Sequence, residues 1–337
     1  MTRVLVTGGS GFVGRHLVPA LLAQGDAVRI FDVSPPGNLA RVQYVAGSIL
    51  DAGAVRAALR DIDEVYHLAA LPGMWMPRKR DFHAVNCRGT AIVVTAARRQ
   101  GVRRFLHCST ESVLFGGEKA DAAIAAQARP SIDDMPGAYT RSKLAAEQLA
   151  VRAAAAGVPF VIATPTIPIG LDANSTPPTA MLRHFLTRHR RFYLDFTLNL
   201  IDVRDVAAGL VLTMARGRIG ERYILGGENI RLSSLLDRID AICGRRRRRI
   251  PLPGAVALGA AALMEWSADH VTRRPPPATV EGVRIALRSA PLAIDKARRE
   301  LGYSPRPVEA ALRETVARIL GERRGGRAPL LAGLLLD

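Results

Sequence analysis

Aromatic side chains make up only 5% of the 337 residues, cysteines number three, and acidic residues are outnumbered by basic ones, 30 to 47. Each scarcity excludes something. With so few rings and none interleaved with the basic groups, a stacking groove for single-stranded nucleic acid is not expected, despite a formal net charge of +17. Cys87, Cys108 and Cys243 show no C-x-x-C spacing, so neither a disulfide framework nor a metal site is expected, and a reducing cytoplasm is the natural compartment. The longest apolar stretches, Ala255–Met264 and Leu330–Leu336, fall short of the ~18–20 residues of a bilayer span. The opening MTRVLVTGG has no basic and apolar leader pattern and reads as a first strand.

What is present is ordinary for a globular chain: 48% hydrophobic and 23% charged residues. The length suits one large domain or two interlocked ones. The positive excess leans toward the C-terminal part, where Arg245–Arg249 are five consecutive arginines, and a second cluster holds Arg183, His184, Arg188, His189, Arg190 and Arg191. Such a run reads first as a solvated loop, and second as a contact for an anionic membrane surface.

Strand-like and helix-like runs alternate through the first half. Arg3–Thr7, Ala27–Phe31, Arg41–Ala46, Glu64–Leu68 and Arg103–Cys108 read as strands, and Phe12–Ala23, Val55–Leu59 and about 80–99 as helices. Near-continuously apolar strands separated by helices predict an α/β fold, a Rossmann-type doubly wound parallel sheet. Tyr139–Ala156 continues as a helix and Pro159–Thr164 as a buried strand. Residues 165–200 are rich in Pro and Thr and read as irregular, whereas Leu200–Val203 and Arg222–Leu225 return to strands and Ser233 reads as a helix N-cap. The expected division is a dinucleotide-binding domain of 1–165 plus 200–228, and a smaller, discontinuous C-terminal substrate lobe of 166–199 plus 229–337.

Two motifs carry chemistry. Gly8, Gly11 and Gly14 follow the first strand and open a helix: one glycine permits the turn, one lets backbone approach a pyrophosphate, and one allows close helix packing. The helix N-terminus, with Phe12 and Val13, offers free N–H groups to the phosphates. Asp32, ending the second strand, would accept from a ribose 2′-OH and repel a 2′-phosphate, so NAD (NAD+/NADH) is expected over NADP. The second motif, Tyr139-Thr140-Arg141-Ser142-Lys143, sets a phenol and an ammonium on one helical face, a pair suited to acid/base work. Ser109 and Thr110, after the fifth strand, are alternative hydroxyls for holding the reacting oxygen.

TGGSGFVG, Asp32, His67-Leu68-Ala69-Ala70, Asn86 in VNCRGT, the hydroxyls after strand five, and YTRSK together resemble the extended short-chain dehydrogenase/reductases of the NAD-dependent epimerase/dehydratase family. Within it, SIDDMPGAYTRSKLAAEQ, TPTIPIG and GRIGERYILGGENI look most like hopanoid-associated sugar epimerases and dihydroflavonol reductase-like proteins. The resemblance implies Tyr139 as acid/base, Lys143 as its pKa-lowering partner that also contacts the nicotinamide ribose, and Thr110 as the substrate-orienting hydroxyl. It places Ser48, Ile49, Leu68, Ala69, Ala70 and Asn86 near the cofactor, and Pro165, Thr166 and Ile167 beside the nicotinamide. Ser48 stands where the family carries an acidic residue, and Val113–Gly116 lies one residue off the usual spacing from the hydroxyl. Glu111 matches one dehydratase carboxylate, but Ser112 replaces the second, which argues against elimination.

The expected activity is NAD(H)-dependent hydride transfer at a secondary alcohol or ketone carbon, as a nucleotide-sugar epimerase. The alternative is a ketone reductase or alcohol dehydrogenase, of the dihydroflavonol reductase or hydroxysteroid dehydrogenase type, on a lipophilic substrate. A non-catalytic dinucleotide sensor at a membrane surface is the reading of another class. Arg183, Arg204 and Arg222 are candidates for a substrate diphosphate, and the apolar loop Pro72–Pro77 for a lipophilic substrate. A small-molecule substrate, a homodimer, and a cytoplasmic location peripheral to the inner membrane surface complete the expectations.

Overall fold

The computed structural model describes residues 1–116, 124, 126–171, 177–187 and 191–323. Of the second basic cluster, Arg188, His189 and Arg190 lie outside these residues, as does Leu330–Leu336.

Strands β1 (Arg3–Thr7), β2 (Ala27–Asp32), β3 (Gln43–Ala46), β4 (Glu64–His67), β5 (Arg104–Cys108) and β6 (Phe160–Pro165) form one sheet. The chain then forms β7 (Ile167–Ile169), β8 (Phe192–Tyr193), β9 (Thr197–Asp202), β10 (Arg222–Leu225) and β11 (Glu228–Arg231). The main sheet has seven strands in the order β10-β6-β5-β4-β1-β2-β3, every neighbouring pair parallel. This is the doubly wound arrangement the alternation predicted. The strand order reverses between β1 and β4, where ligands of open α/β sheets bind.

Period-two alternation along the strands builds a core on each face. In β1, Val4 and Val6 pack with Leu17, Leu21 and Ile30, whereas Leu5 packs on the other side with Phe31, Val65, Phe105 and Phe160. Phe105 and Phe160 stack with centroids 4.4 Å apart on neighbouring strands. Truncating either to alanine would cost about 3–5 kcal/mol.

The second half departs from expectation. The stretch 165–200, read as irregular, contains β7, the helix Pro177–Thr187, β8 and β9. Proline is tolerated in the first turn of a helix because its missing N–H has no partner there. The strand expected at Leu200–Val203 is real, but it does not rejoin the main sheet. As β9 it pairs antiparallel to β11 and parallel to β7 in a separate three-stranded sheet, and the chain regains the main sheet with β10. Ser233 does not cap its helix; it lies inside Leu232–Ile242, its N–H and hydroxyl donating to Asp195 at 3.0 and 3.2 Å.

The arginine run is not simply a solvated loop. Arg245, Arg247 and Arg249 are half-buried and alternate with exposed Arg246 and Arg248. Arg245 donates to the Leu186 carbonyl at 3.2 Å and Arg247 to that of Phe185 at 2.9 Å. Arg249 grips Asp240 through two bonds of 2.8 and 2.7 Å, the paired side chains almost wholly buried. Five identical residues carry no pattern from which this alternation could be read.

Candidate active site

The turn after β1 is built on glycine. Gly8 has φ +73°, and a Cβ there would sit 2.7 Å from the Ala69 nitrogen of the β4 loop. A Cβ on Gly14 would sit 2.5 Å from the Gly9 carbonyl oxygen, so the helix Gly14–Ala23 can start this close to the turn only without side chains. Asp32 ends β2, where its carboxylate accepts from the Ser10 N–H and the Ser34 N–H at 3.0 Å each. Its remaining lone pairs suit a ribose diol. Ser48 and Ile49 follow β3; the Ser48 hydroxyl accepts from Leu50 N–H at 3.2 Å, and Ile49 is buried against Gly89.

Asn86 lies in the π-helical turn His83–Gly89. Its side chain accepts from the Leu71 N–H at 2.7 Å and donates to the Leu71 carbonyl at 3.3 Å and the Ser142 hydroxyl at 3.0 Å. The residue therefore ties the loop after β4, which carries Leu68, Ala69 and Ala70, to the helix Ala138–Ala155 that carries Tyr139 and Lys143. At the carboxyl end of the neighbouring strand, β6 ends in Pro165 and is followed by Thr166 and Ile167; the Thr166 hydroxyl is buried and without a hydrogen-bond partner. The glycine cradle, the Asp32 carboxylate and this orphaned hydroxyl all lie at the carboxyl edge of the strands and fit a dinucleotide lying across the switch point.

The two hydroxyls after β5 face different ways. Ser109 is buried and donates to Glu147, which also forms a buried ion pair with Arg222. It is spent on structure. Thr110 instead caps the short 3₁₀ turn Glu111–Leu114 and interacts with the Tyr139 phenol. Lys143, buried on the same helix, donates to the Cys108 carbonyl at 2.8 Å. Burial pushes the Tyr139 phenol up to about 12; Thr110 pulls it back, while Glu281, Cys108 and Glu111 add to the rise. The same burial lowers the Lys143 ammonium from its ordinary value. The balance at the phenol is thus upward, where the sequence led us to expect the lysine to lower it.

Two acids lie nearby, Glu281, which sequence reasoning did not single out, and Glu111, which it read as structural or as a hydrogen-bond partner of the substrate. Glu281, from the helix Val280–Arg288, accepts from Thr140 N–H and hydroxyl at 2.8 and 2.7 Å and from Tyr139 N–H at 3.3 Å. An acid on a short C-terminal helix gave no signal of this partnership. Glu111 is buried with one carboxylate oxygen unpartnered, and burial raises its carboxyl well above the usual range.

Of the three arginines proposed for a diphosphate, Arg204 and Arg222 are committed elsewhere. Arg222 pairs with Glu147 and donates to the Ala126 and Ala128 carbonyls, and Arg204 chelates Asp202 and reaches Glu314. Trp75 of the apolar loop donates through its indole N–H to Asp269 at 2.7 Å, and Met74 approaches Gly282, next to Glu281. Cys87, Cys108 and Cys243 are free.

The family model for the NAD dependent epimerase/dehydratase family matches residues 4–226. A putative dihydroflavonol 4-reductase of Synechocystis sp. is 35% identical over 325 residues, covering 92% of each chain. Sterol demethylase protein B of Methylococcus capsulatus is 30% identical over 322 residues, covering 93% of this chain and 97% of that one. Among solved structures, a nucleoside-diphosphate-sugar epimerase from Pseudomonas aeruginosa superposes with a TM-score of 0.78 at 22% identity, over 96% of this chain and 99% of that one, which shows the shared fold. The glycine turn, the parallel sheet and the Tyr-Lys helix agree with these matches, and the chain belongs to the NAD-dependent epimerase/dehydratase family.

Proposed function

We propose that the protein is an NAD(H)-dependent oxidoreductase that interconverts a secondary alcohol and a ketone on a lipophilic substrate, with Tyr139 as the proton donor and acceptor. The observation that carries this reading is the convergence of Tyr139, Thr110 and Lys143 at the ends of β5 and β6, with Ser109 turned away into the Glu147–Arg222 pair. Gly8, Gly11, Phe12, Val13, Gly14, Asp32, Ser48, Ile49, Leu68, Ala69, Ala70, Pro165, Thr166 and Ile167 would hold NAD, and Asp32 supports its preference over NADP. When bound, NAD(H) supplies the hydride acceptor or donor for the carbinol carbon.

The proton belongs to the protein. In the reductive direction, the Tyr139 hydroxyl gives its proton to the substrate oxygen while the Thr110 hydroxyl donates to the same oxygen and fixes its position. Lys143, anchored on the Cys108 carbonyl, keeps a positive charge beside the phenolate left behind. Tyr139 is held in place by Glu281 at its backbone and by the edge of Phe82, 5.8 Å away.

For the substrate, the commitment of Arg204 and Arg222 to internal ion pairs removes two cations a nucleotide diphosphate would need, while Met74, Trp75 and Met76 offer apolar surface beside the site. The names of the two relatives, a dihydroflavonol reductase and a sterol-processing protein, point the same way. Nucleotide-sugar epimerisation is the competing outcome of one experiment, incubation of the enzyme with NADH and lipophilic ring ketones, or with NAD+ and nucleotide sugars. Stoichiometric NADH oxidation with the ketones supports the reading; inversion of a sugar carbon without net NADH change overturns its substrate class. A homodimer in the cytoplasm belongs to the same proposal, on the family resemblance, and sedimentation tests the assembly.

A further inference from the structure

The helix Gly254–Ser267 is apolar all round. Its one charged residue, Glu265, turns inward to Lys79 and to the Val280 N–H at 2.9 Å. Ala257 and Ala261 form the packed face, against Val283 and Leu252. The opposite face, Ala255, Val256, Gly259, Ala262, Leu263 and Trp266, repeats at helical spacing and is bare: Val256, Leu263 and Trp266 are 54%, 68% and 56% exposed. Val271 continues the patch at 66%, and Ile250 and Phe192, paired across two short strands, add exposed apolar surface ahead of the helix. A surface helix ordinarily turns charges outward; an outward apolar stripe with none marks a contact surface.

Basic residues bracket this stripe along the chain. Arg246 and Arg248, the outward-facing members of the arginine run, precede it, and exposed Arg273 and Arg274 follow it. We propose that the apolar face of Gly254–Ser267, with Arg273 and Arg274 beside it, docks on an anionic lipid surface. The helix is too short to span a bilayer, and among the described residues no helix is long and apolar enough to do so, so the geometry is one of lying in the interface. Local charge selects this occupant over a second copy docked on the same face, because exposed Arg246, Arg248, Arg273 and Arg274 flank the stripe along the chain and would meet their own copies there, whereas an anionic surface attracts them. Trp266, with a large apolar body and a polar N–H, suits the headgroup boundary. The docked helix is fastened to the segment beside the active site through Lys79–Glu265, and the π-helical turn Ala268–Thr272 that continues it through Trp75–Asp269 and Lys79–Asp269 at 2.7 and 3.0 Å, which sets the cleft mouth close to the lipid.

The test uses the full chain and phosphatidylcholine vesicles with or without phosphatidylglycerol. The protein should co-sediment with the anionic vesicles, less so at high salt, with a blue shift of emission that the Trp266→Phe variant loses. The pair Arg273→Gln and Arg274→Gln should partition about thirty-fold less, and Val256→Ser with Leu263→Ser should abolish binding, all with NADH affinity unchanged. Failure of the wild type to bind anionic vesicles overturns the proposal, as does binding insensitive to either pair, or a solution dimer that the Val256/Leu263 pair dissolves. NADH affinity and turnover, measured without vesicles, keep such a failure separate from any failure of the oxidoreductase reading.

Discussion

The carboxylate of Glu281 caps the helix that carries Tyr139: it accepts from the N–H and the hydroxyl of Thr140 at 2.8 and 2.7 Å, from 141 positions away in the chain. It is buried, and a Cβ on Gly137 would collide with it, so a side chain at Gly137 would displace the cap. The helix Val280–Arg288 thereby fixes the helix start that carries the phenol, and the charge of Glu281 adds to the rise of the phenol's pKa.

Glu281→Gln should therefore shift activity as well as stability. Loss of the negative charge lowers the phenol, so in the reductive direction, which needs the protonated phenol, the alkaline fall in rate should move to lower pH. Glu281→Ala should in addition lose about 1–2 kcal/mol of stability as a cap is removed. A pH–rate profile of Glu281→Gln unchanged from the wild type would reduce the residue to a structural cap.

Ser109 and Thr110 should separate cleanly. Thr110→Ala should lower kcat about a hundredfold, since it removes a donor to the reacting oxygen, beyond the roughly 0.5–2 kcal/mol of stability lost with its cap of the 3₁₀ turn. Ser109→Ala should cost roughly 1–3 kcal/mol of stability, because Glu147 loses a buried partner, with turnover largely kept. Steady-state rates beside thermal melts decide between them.

Stability should fall in mild acid because of two buried histidines. Burial holds His67 down to about 3, between the Thr7 and Thr90 hydroxyls at 2.7 and 2.9 Å, and holds His107 well below its ordinary value. Both stay neutral in the fold while the unfolded chain takes up protons below about 6.5. The stability they contribute is full above that pH and declines as pH falls toward 3, by roughly 1.4 kcal/mol per pH unit for each fully titrating group. His107, with both ring nitrogens unpartnered and its ring against Phe160 and His67, is the cleaner test: His107→Phe should flatten the dependence. Equal slopes for the variant and the wild type in melts from pH 7.5 to 5.5 would contradict this.

Asp32 should decide the cofactor. NADH should bind at least about tenfold more tightly than NADPH, and Asp32→Ala should narrow the gap by removing the repulsion of a 2′-phosphate. Dissociation constants from cofactor fluorescence measure both.

What could be read from the sequence was local. The glycine turn and Asp32 lie at strand ends, the Tyr-Lys pair lies within one turn of a single helix, and the alternation that builds a parallel sheet is written along the chain. The rest depends on partners distant in sequence. Nothing near Ser109 tells that Glu147 claims it, nothing near Arg222 tells that it is buried against that same carboxylate, and the strand at Leu200 shows its type but not which sheet it joins.

The measurement that bears most directly on the account is the Tyr139→Phe variant, assayed for turnover and for NADH binding together. The substitution removes one oxygen and leaves the ring against Phe82, so NADH affinity should hold while kcat drops by about 10²–10⁴. Turnover retained in that variant, with folding and NADH binding intact, would contradict the assignment of Tyr139 as the group that moves the proton.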